Sequence, residues 1–333
     1  MTELENEGIK HAIYYEQYKT GVANDIINII KKANREIAKE IKKTDIVTID
    51  RYKKLNKLLK EISKDIKKQV DEDYDIDGVI EYELRKQKKF LNMGTENINV
   101  DFIYPSLKQI KTSALFNPIV PNMTYATYLN DIKEGLFNQW DTALRTGYLT
   151  NETTKNIINK VMGKVSPAQV LNKGTMQSFY NSIYRNTRTA LQSFANTTRT
   201  MIYYENNDII QKVRFLASLD RRTCLVCGNL DGKIFDLDKA PVLPLHFNCR
   251  CVEIPIIKGA DVTKNTRPME GGTTKGTVTF NDWLKNQNDK TLMDVLGKTR
   301  YKMYKDGTAI NEFIENNSIL TLKELNIKLD NKI

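Results

Sequence analysis

Every cysteine of the chain lies between Cys224 and Cys251, and one of its two histidines, His246, falls in the same stretch. Such confinement implies one local structure that needs the thiols together. The pattern is C-x2-C at Cys224 and Cys227, then H-x2-C-x-C at His246, Cys249 and Cys251. Tetrahedral Zn2+ takes four nitrogen or sulfur ligands, and structural sites often supply them as two close pairs. Gly228, directly after the second cysteine, gives the first pair the look of a zinc knuckle, with backbone amides turned toward the sulfurs. Five candidates compete for four positions, so either Cys249 or Cys251 is expected to be left over. A structural zinc suits a small β unit with little core of its own. Disulfides are a second reading, disfavoured by a polar, acidic N-terminus that does not look like a secretion signal. Redox C-x-x-C chemistry is third, since no thioredoxin-like βαβ pattern surrounds Cys224. A zinc-activated water is fourth. It requires an open coordination position and a general base, and nothing singles out one of Asp220, Asp231 and Asp236.

The rest of the chain predicts an α+β fold, mostly α. Ile26, Ile30, Ala33, Ile37 and Ile41 form one helical stripe, and Leu55, Leu58, Leu59, Ile62 and Ile66 form another. Thr48 or Asp50 is placed to cap the second helix. A helical hairpin or bundle over 20–92 is therefore expected, within an N-terminal domain of residues 1–93. A connecting region, 94–165, reads as irregular around Pro105, Pro118 and Pro121, then as short helices broken at Gly135, Gly147 and Gly163. Ser166-Pro167 has the form of a helix start.

A third region, 166–333, opens with a long helix over 175–204. Met176, Phe179, Ile183, Thr187, Ala190, Phe194 and Met201 share one face, and Arg185, Arg188 and Arg199 lie nearly opposite. The period then changes to two. VRFLASLD at 213–220, KIFDL at 233–237 and CVEIPI at 251–256 predict short strands, with Asp231-Gly232 as a hairpin turn. Residues 259–279 look like loop, and 280–328 return to short helices. GGTTKGT at 271–277 does not have P-loop spacing. His11 reads as an ordinary surface or packing residue.

The formal charge is +10, unevenly spread. Residues 31–68 hold 14 Lys/Arg against 6 Asp/Glu, and residues 172–222 hold 8 against 3. Two basic segments on a near-neutral frame suit a polyanion, with nucleic acid the first candidate. Lys53, Lys54, Lys57 and Lys60 on one helix, and Arg185, Arg188 and Arg199 on another, are the expected phosphate contacts. No apolar run approaches the ~18–20 residues of a membrane span.

D-R-R-T-C-x2-C-x2-L-D-G-K at 220–233, followed by P-L-H-x-N-C-R-C at 244–251, closely resembles the Mu F-like phage minor head proteins. WLKNQ at 283–287, VLGKTRYKMYKDG at 295–307 and TLKEL at 321–325 are similar to that family's C-terminal tail. The helical N-terminal region is similar in character to members from siphophages of Gram-positive bacteria. The resemblance implies a non-enzymatic minor capsid protein inside the head, assembled in the host cytoplasm. Its implied partners are the portal protein and double-stranded phage DNA, with scaffold or major capsid protein as further candidates. It also places Cys224, Cys227, His246, Cys249 and Cys251 on the family's Cys/His motif. The competing expectation is a metal-dependent nuclease or transferase acting on nucleic acid during genome entry.

Overall fold

A computed structural model describes residues 3–95, 100–165, 171–172, 174–257 and 266–330. Six helices come first: α1 (Glu3–Ile41), α2 (Ile49–Asp73), α3 (Ile76–Gly94), α4 (Leu107–Phe116), α5 (Tyr125–Leu149) and α6 (Thr154–Met162). A two-residue pairing of β1 (Lys164–Val165) with β2 (Leu171–Asn172) precedes the long α7 (Met176–Glu205). The Cys/His unit follows as β3 (Ile210–Leu216), α8 (Leu225–Leu230), β4 (Ile234–Asp236) and β5 (Val252–Ile257). A hairpin of β6 (Thr266–Met269) and β7 (Gly272–Lys275) leads to α9 (Phe280–Lys285) and α10 (Asp289–Lys305). The small pair β8 (Ile314–Glu315) and β9 (Ser318–Ile319), then α11 (Leu322–Asp330), close the described chain. The fold is α+β and mostly α.

The predicted stripes are the contact faces. Ile26, Ile30, Ala33, Ile37 and Ile41 of α1 are all buried, as are Leu55, Leu59 and Ile66 of α2. Thr48 caps α2 by accepting from the Arg51 amide. These helices share one core with α5 and α7, centred on Trp140, Tyr128, Ile132, Leu136 and Phe194. Each fully buried side chain of this size contributes roughly 1.5–3 kcal/mol through lost water contact. Trp140 brings its polar atom in with a partner, donating from Nε1 to Asn34 Oδ1 at 2.7 Å.

Helix α7 is the axis of the molecule. Residues Thr189 to Arg199 are buried without a break, so neighbours cover it on all sides. A helix buried all round is ordinarily apolar all round. Here the polar part of its circumference is satisfied instead: Thr189 and Thr198 bond back to the carbonyls of Arg185 and Phe194, and Tyr74 donates to the Thr187 carbonyl at 3.0 Å.

The strands form an antiparallel sheet in the order β4-β3-β5, with Val213 opposite Phe235 and Phe215 opposite Glu253. A second core, behind α8, gathers Leu219, Leu225, Phe280, Trp283, Leu292 and Phe313.

Several expectations need correction. Helix α1 begins near residue 3 and is not confined to the region after residue 20. The supposedly irregular 94–122 contains α4, bracketed by its prolines: Ser106 after Pro105 forms a capping box with Gln109, and Asn117 before Pro118 is the C-cap. Helix α5 runs through Gly135 and Gly147, because both glycines serve packing. A methyl group on either would overlap the Phe179 ring or the Ile157 side chain. Gly163 does end α6, at φ 87°. Asp231-Gly232 does form a turn, with the Lys233 amide on the Leu230 carbonyl at 3.0 Å and Gly232 at φ 82°, but the turn leads from α8 into β4 and does not join two strands directly. Residues 266–275, expected as loop, form β6 and β7, joined by Glu270-Gly271 with Gly271 at φ 87°. Ser166-Pro167 lies outside the described residues.

Candidate metal centre

Cys224 is the N-cap of the short helix α8, and its Sγ accepts from the Cys227 amide at 3.4 Å. The C-x2-C spacing thus sets one sulfur at the cap and the other a turn away. His246 comes in from the segment before β5. Its Nδ1 donates to the Phe247 carbonyl at 2.8 Å, which orients the ring so that Nε2 faces the sulfurs. That Nε2 sits 3.2 Å from Cys224 Sγ and 3.2 Å from Cys227 Sγ. Two groups of ligand atoms lie within 4.8 Å of one another, Cys224–Cys227–His246 and Cys227–Cys249–Cys251. Cys227 belongs to both. At ordinary Zn–S and Zn–N lengths, tetrahedral donors lie ~3.5 Å apart. The soft donors and their spacing fit zinc, and a cavity of ≈10 Å³ opens among them. The four thiols are not joined as disulfides.

Protons are held unevenly within the cluster. Hydrogen bonding by the Cys227 thiol holds Cys224 and Cys249 well below the usual thiol range, while the same contacts, that with Cys224 first, push Cys227 up. Bonding to Cys224 raises His246 to about 9, against the effect of burial. Thiolate is the form that binds metal.

Cys249 and Cys251 do not turn apart. Residues two apart along extended backbone share a side, and both sulfurs join Cys227. Arg250, between them, turns to Asp220, with Nη2 at 2.7 Å from Oδ1 and Nη1 on Oδ2. Gly228 also departs from the knuckle reading. Its amide donates to the Cys224 carbonyl at 2.9 Å, and the glycine is there because a Cβ would overlap the Phe280 ring.

The cluster is anchored to α7. The Cys251 carbonyl accepts from Gln192 Nε2 and Asn196 Nδ2, each at 3.4 Å, and the Asn248 amide donates to Thr189 Oγ1 at 2.9 Å. Asn248 is at φ 59°, a left-handed conformation that asparagine tolerates better than most residues. These supports come from more than fifty residues away, and no local pattern announces them. Among the three aspartates, Asp220 pairs with Arg250. Asp231 accepts from Arg267 at 3.0 Å and from the Ala217 and Phe280 amides, and Asp236 pairs on the surface with Lys239 and Lys212. Among the described residues, none joins the groups of close ligand atoms.

The two sets of basic residues fare differently. Lys53, Lys54, Lys57 and Lys60 are exposed along α2. The arginine face of α7 is covered, because α1 and α3 pack on it. Arg199 is 6% exposed and bonds Glu83 at 2.5 Å, Arg188 bonds Glu16 at 2.5 Å, and Arg185 lies over the Phe247 ring at 4.2 Å. The expectation of an arginine stripe turned to phosphate is thereby corrected: these cations hold the fold together. His11 is a packing residue, with Nε2 3.1 Å from Glu83 and 3.2 Å from Arg199.

Residues 137–254 match the profile of the family described as Phage Mu protein F like protein. Over that stretch the chain is phage Mu F-like. The match runs from within α5 to within β5, so it contains α7 and all five Cys/His groups. The similarity covers about a third of the chain. Comparison with curated proteins and with solved structures gives no match. No helix among the described residues is long and apolar enough to cross a membrane.

Proposed function

We propose that this Mu F-like protein is a minor capsid protein of the head interior that meets the portal and binds packaged DNA without sequence preference. It acts there in packaging or ejection, without catalytic turnover. The family match over 137–254 carries the reading. The exposed lysines of α2 support the DNA contact, since they are basic groups on an open helix face while the arginines of α7 are engaged. In the same reading the thiol–imidazole cluster holds a structural zinc. Bound there, the ion cross-links α8 to the segment before β5, and the Cys251 carbonyl passes that restraint to α7.

The DNA contact is tested by measuring duplex affinity against salt for the full chain and for a variant with Lys53, Lys54, Lys57 and Lys60 all changed to Gln. Each phosphate contact contributes about −0.9 to the slope of log K against log salt. The variant is expected to flatten the slope by roughly 3 to 4, equally on unrelated sequences. Affinity that ignores salt, or a slope unchanged by the four substitutions, removes α2 as the DNA contact.

A further inference from the structure

A cavity of ≈800 Å³ lies between α1, α7 and the strands β5 and β6. Its size falls in the range of small-molecule sites. The walls are largely apolar, with Tyr15, Phe90, Leu219, Val252 and Met269 contributing. Their polar complement is lopsided. Each arginine in the wall already faces a carboxylate: Arg199 has Glu83 at 2.5 Å, Arg221 has Glu270 at 3.1 Å, and Arg267 has Asp231 at 3.0 Å, while Arg222 and Arg250 share Asp220. An anion would therefore have to displace an existing pair. Glu253 is in the opposite position. It is 7% exposed, lines the cavity, and its Oε1 is buried without a hydrogen-bond partner. A buried acceptor left unpaired is unfavourable, and a donor entering the cavity would relieve it. The unmet need of this wall is a donor attached to an apolar body.

We infer that this cavity binds a small aliphatic amine, its ammonium on the Glu253 carboxyl and its chain along Tyr15, Val252 and Met269. The ligand class follows from the cavity alone and does not rest on the phage-head reading. The test is calorimetric titration of the full chain with hexylamine, hexanol and hexanoate, in wild type and in Glu253→Gln. Hexylamine is expected to bind wild type about tenfold or more tightly than hexanol, with hexanoate weakest. Glu253→Gln is expected to erase the preference for the amine while leaving hexanol binding in place. Hexylamine and hexanol binding equally to wild type would overturn the inference without any variant. So would an amine preference that survives Glu253→Gln. Met269→Trp, which fills the chain's path from β6, is expected to abolish binding of both ligands; undiminished hexylamine binding there would place the amine elsewhere and also overturn the inference.

Discussion

The helical body and the Cys/His unit are held together by different means. Around Trp140 and Phe194 the chain hides hydrocarbon from water in one continuous core, and the stripes that do so repeat every three or four residues. Around Cys227 the apolar contribution is small: Phe215, Ala217, Leu230 and Leu243 surround the cysteines, of which Cys227, Cys249 and Cys251 have sulfurs within 4.8 Å of one another. The first region gains stability from area, and the second brings together groups that could gain it by holding a metal ion. The contrast shows that a weak local core is matched here by a dense set of donors, and that the two regions should fail under different challenges.

The sharpest way to separate them is Cys227→Ser. Zinc coordination is worth on the order of 10 kcal/mol in isolated zinc-finger peptides. With the shared ligand gone, we expect zinc content to fall from about one equivalent to none, and amide exchange in β3–β5 to lose protection while α1, α2 and α5 keep theirs. A chelator should reproduce this in wild type. Uniform loss of protection across both regions would break the comparison.

A smaller effect, confined to the helical side, is expected from Arg199→Leu. It strands Glu83, which is fully buried, and removing one member of a buried pair costs about 3–5 kcal/mol. Burial alone would raise the Glu83 carboxyl, but Arg199 and then His11 hold it well below its ordinary 4.5. A depressed folded value means that its stabilisation is complete above pH 4.5 and is lost as the pH falls through the lower folded value. Denaturant unfolding of wild type should therefore weaken on acidification below pH 4.5. In Glu83→Gln/Arg199→Leu that component should be missing, and chelator should alter neither result. The smallest effect belongs to the seam between the regions: Gly228→Ala forces the Phe280 ring to move, at about 1–3 kcal/mol by thermal melting, with zinc content unchanged.

What could be read from the residues followed the same division. Helix α7 and the stripes of α1 and α2 were legible because periodicity reports burial directly. Strands β3 and β5 showed their alternation. Helix α4 was hidden because Pro105 and Pro118 look like breaks when they lie just outside its caps. Gly135 and Gly147 misled for a related reason: a glycine required by a neighbour's ring looks the same in sequence as one that ends a helix. In the site, the five clustered Cys/His groups are visible from type and spacing. The anchors Thr189, Gln192 and Asn196 were not, since their partners lie far along the chain. Periodicity marks the arginine face of α7 as a face but cannot tell solvent from a buried carboxylate such as Glu83 on another helix.

The membership of Cys227 in both ligand groups makes the cluster unequal in its tolerance of change. If one tetrahedral ion is bound, five candidate donors for four positions leave one in reserve, on the side of Cys249 and Cys251. A lineage can drift away from Cys249 or from Cys251 and still field four donors. It has no stand-in for the sulfur that both halves touch. The motif is thus robust at its trailing edge and brittle at its centre, and variation among descendants of this chain should accumulate accordingly.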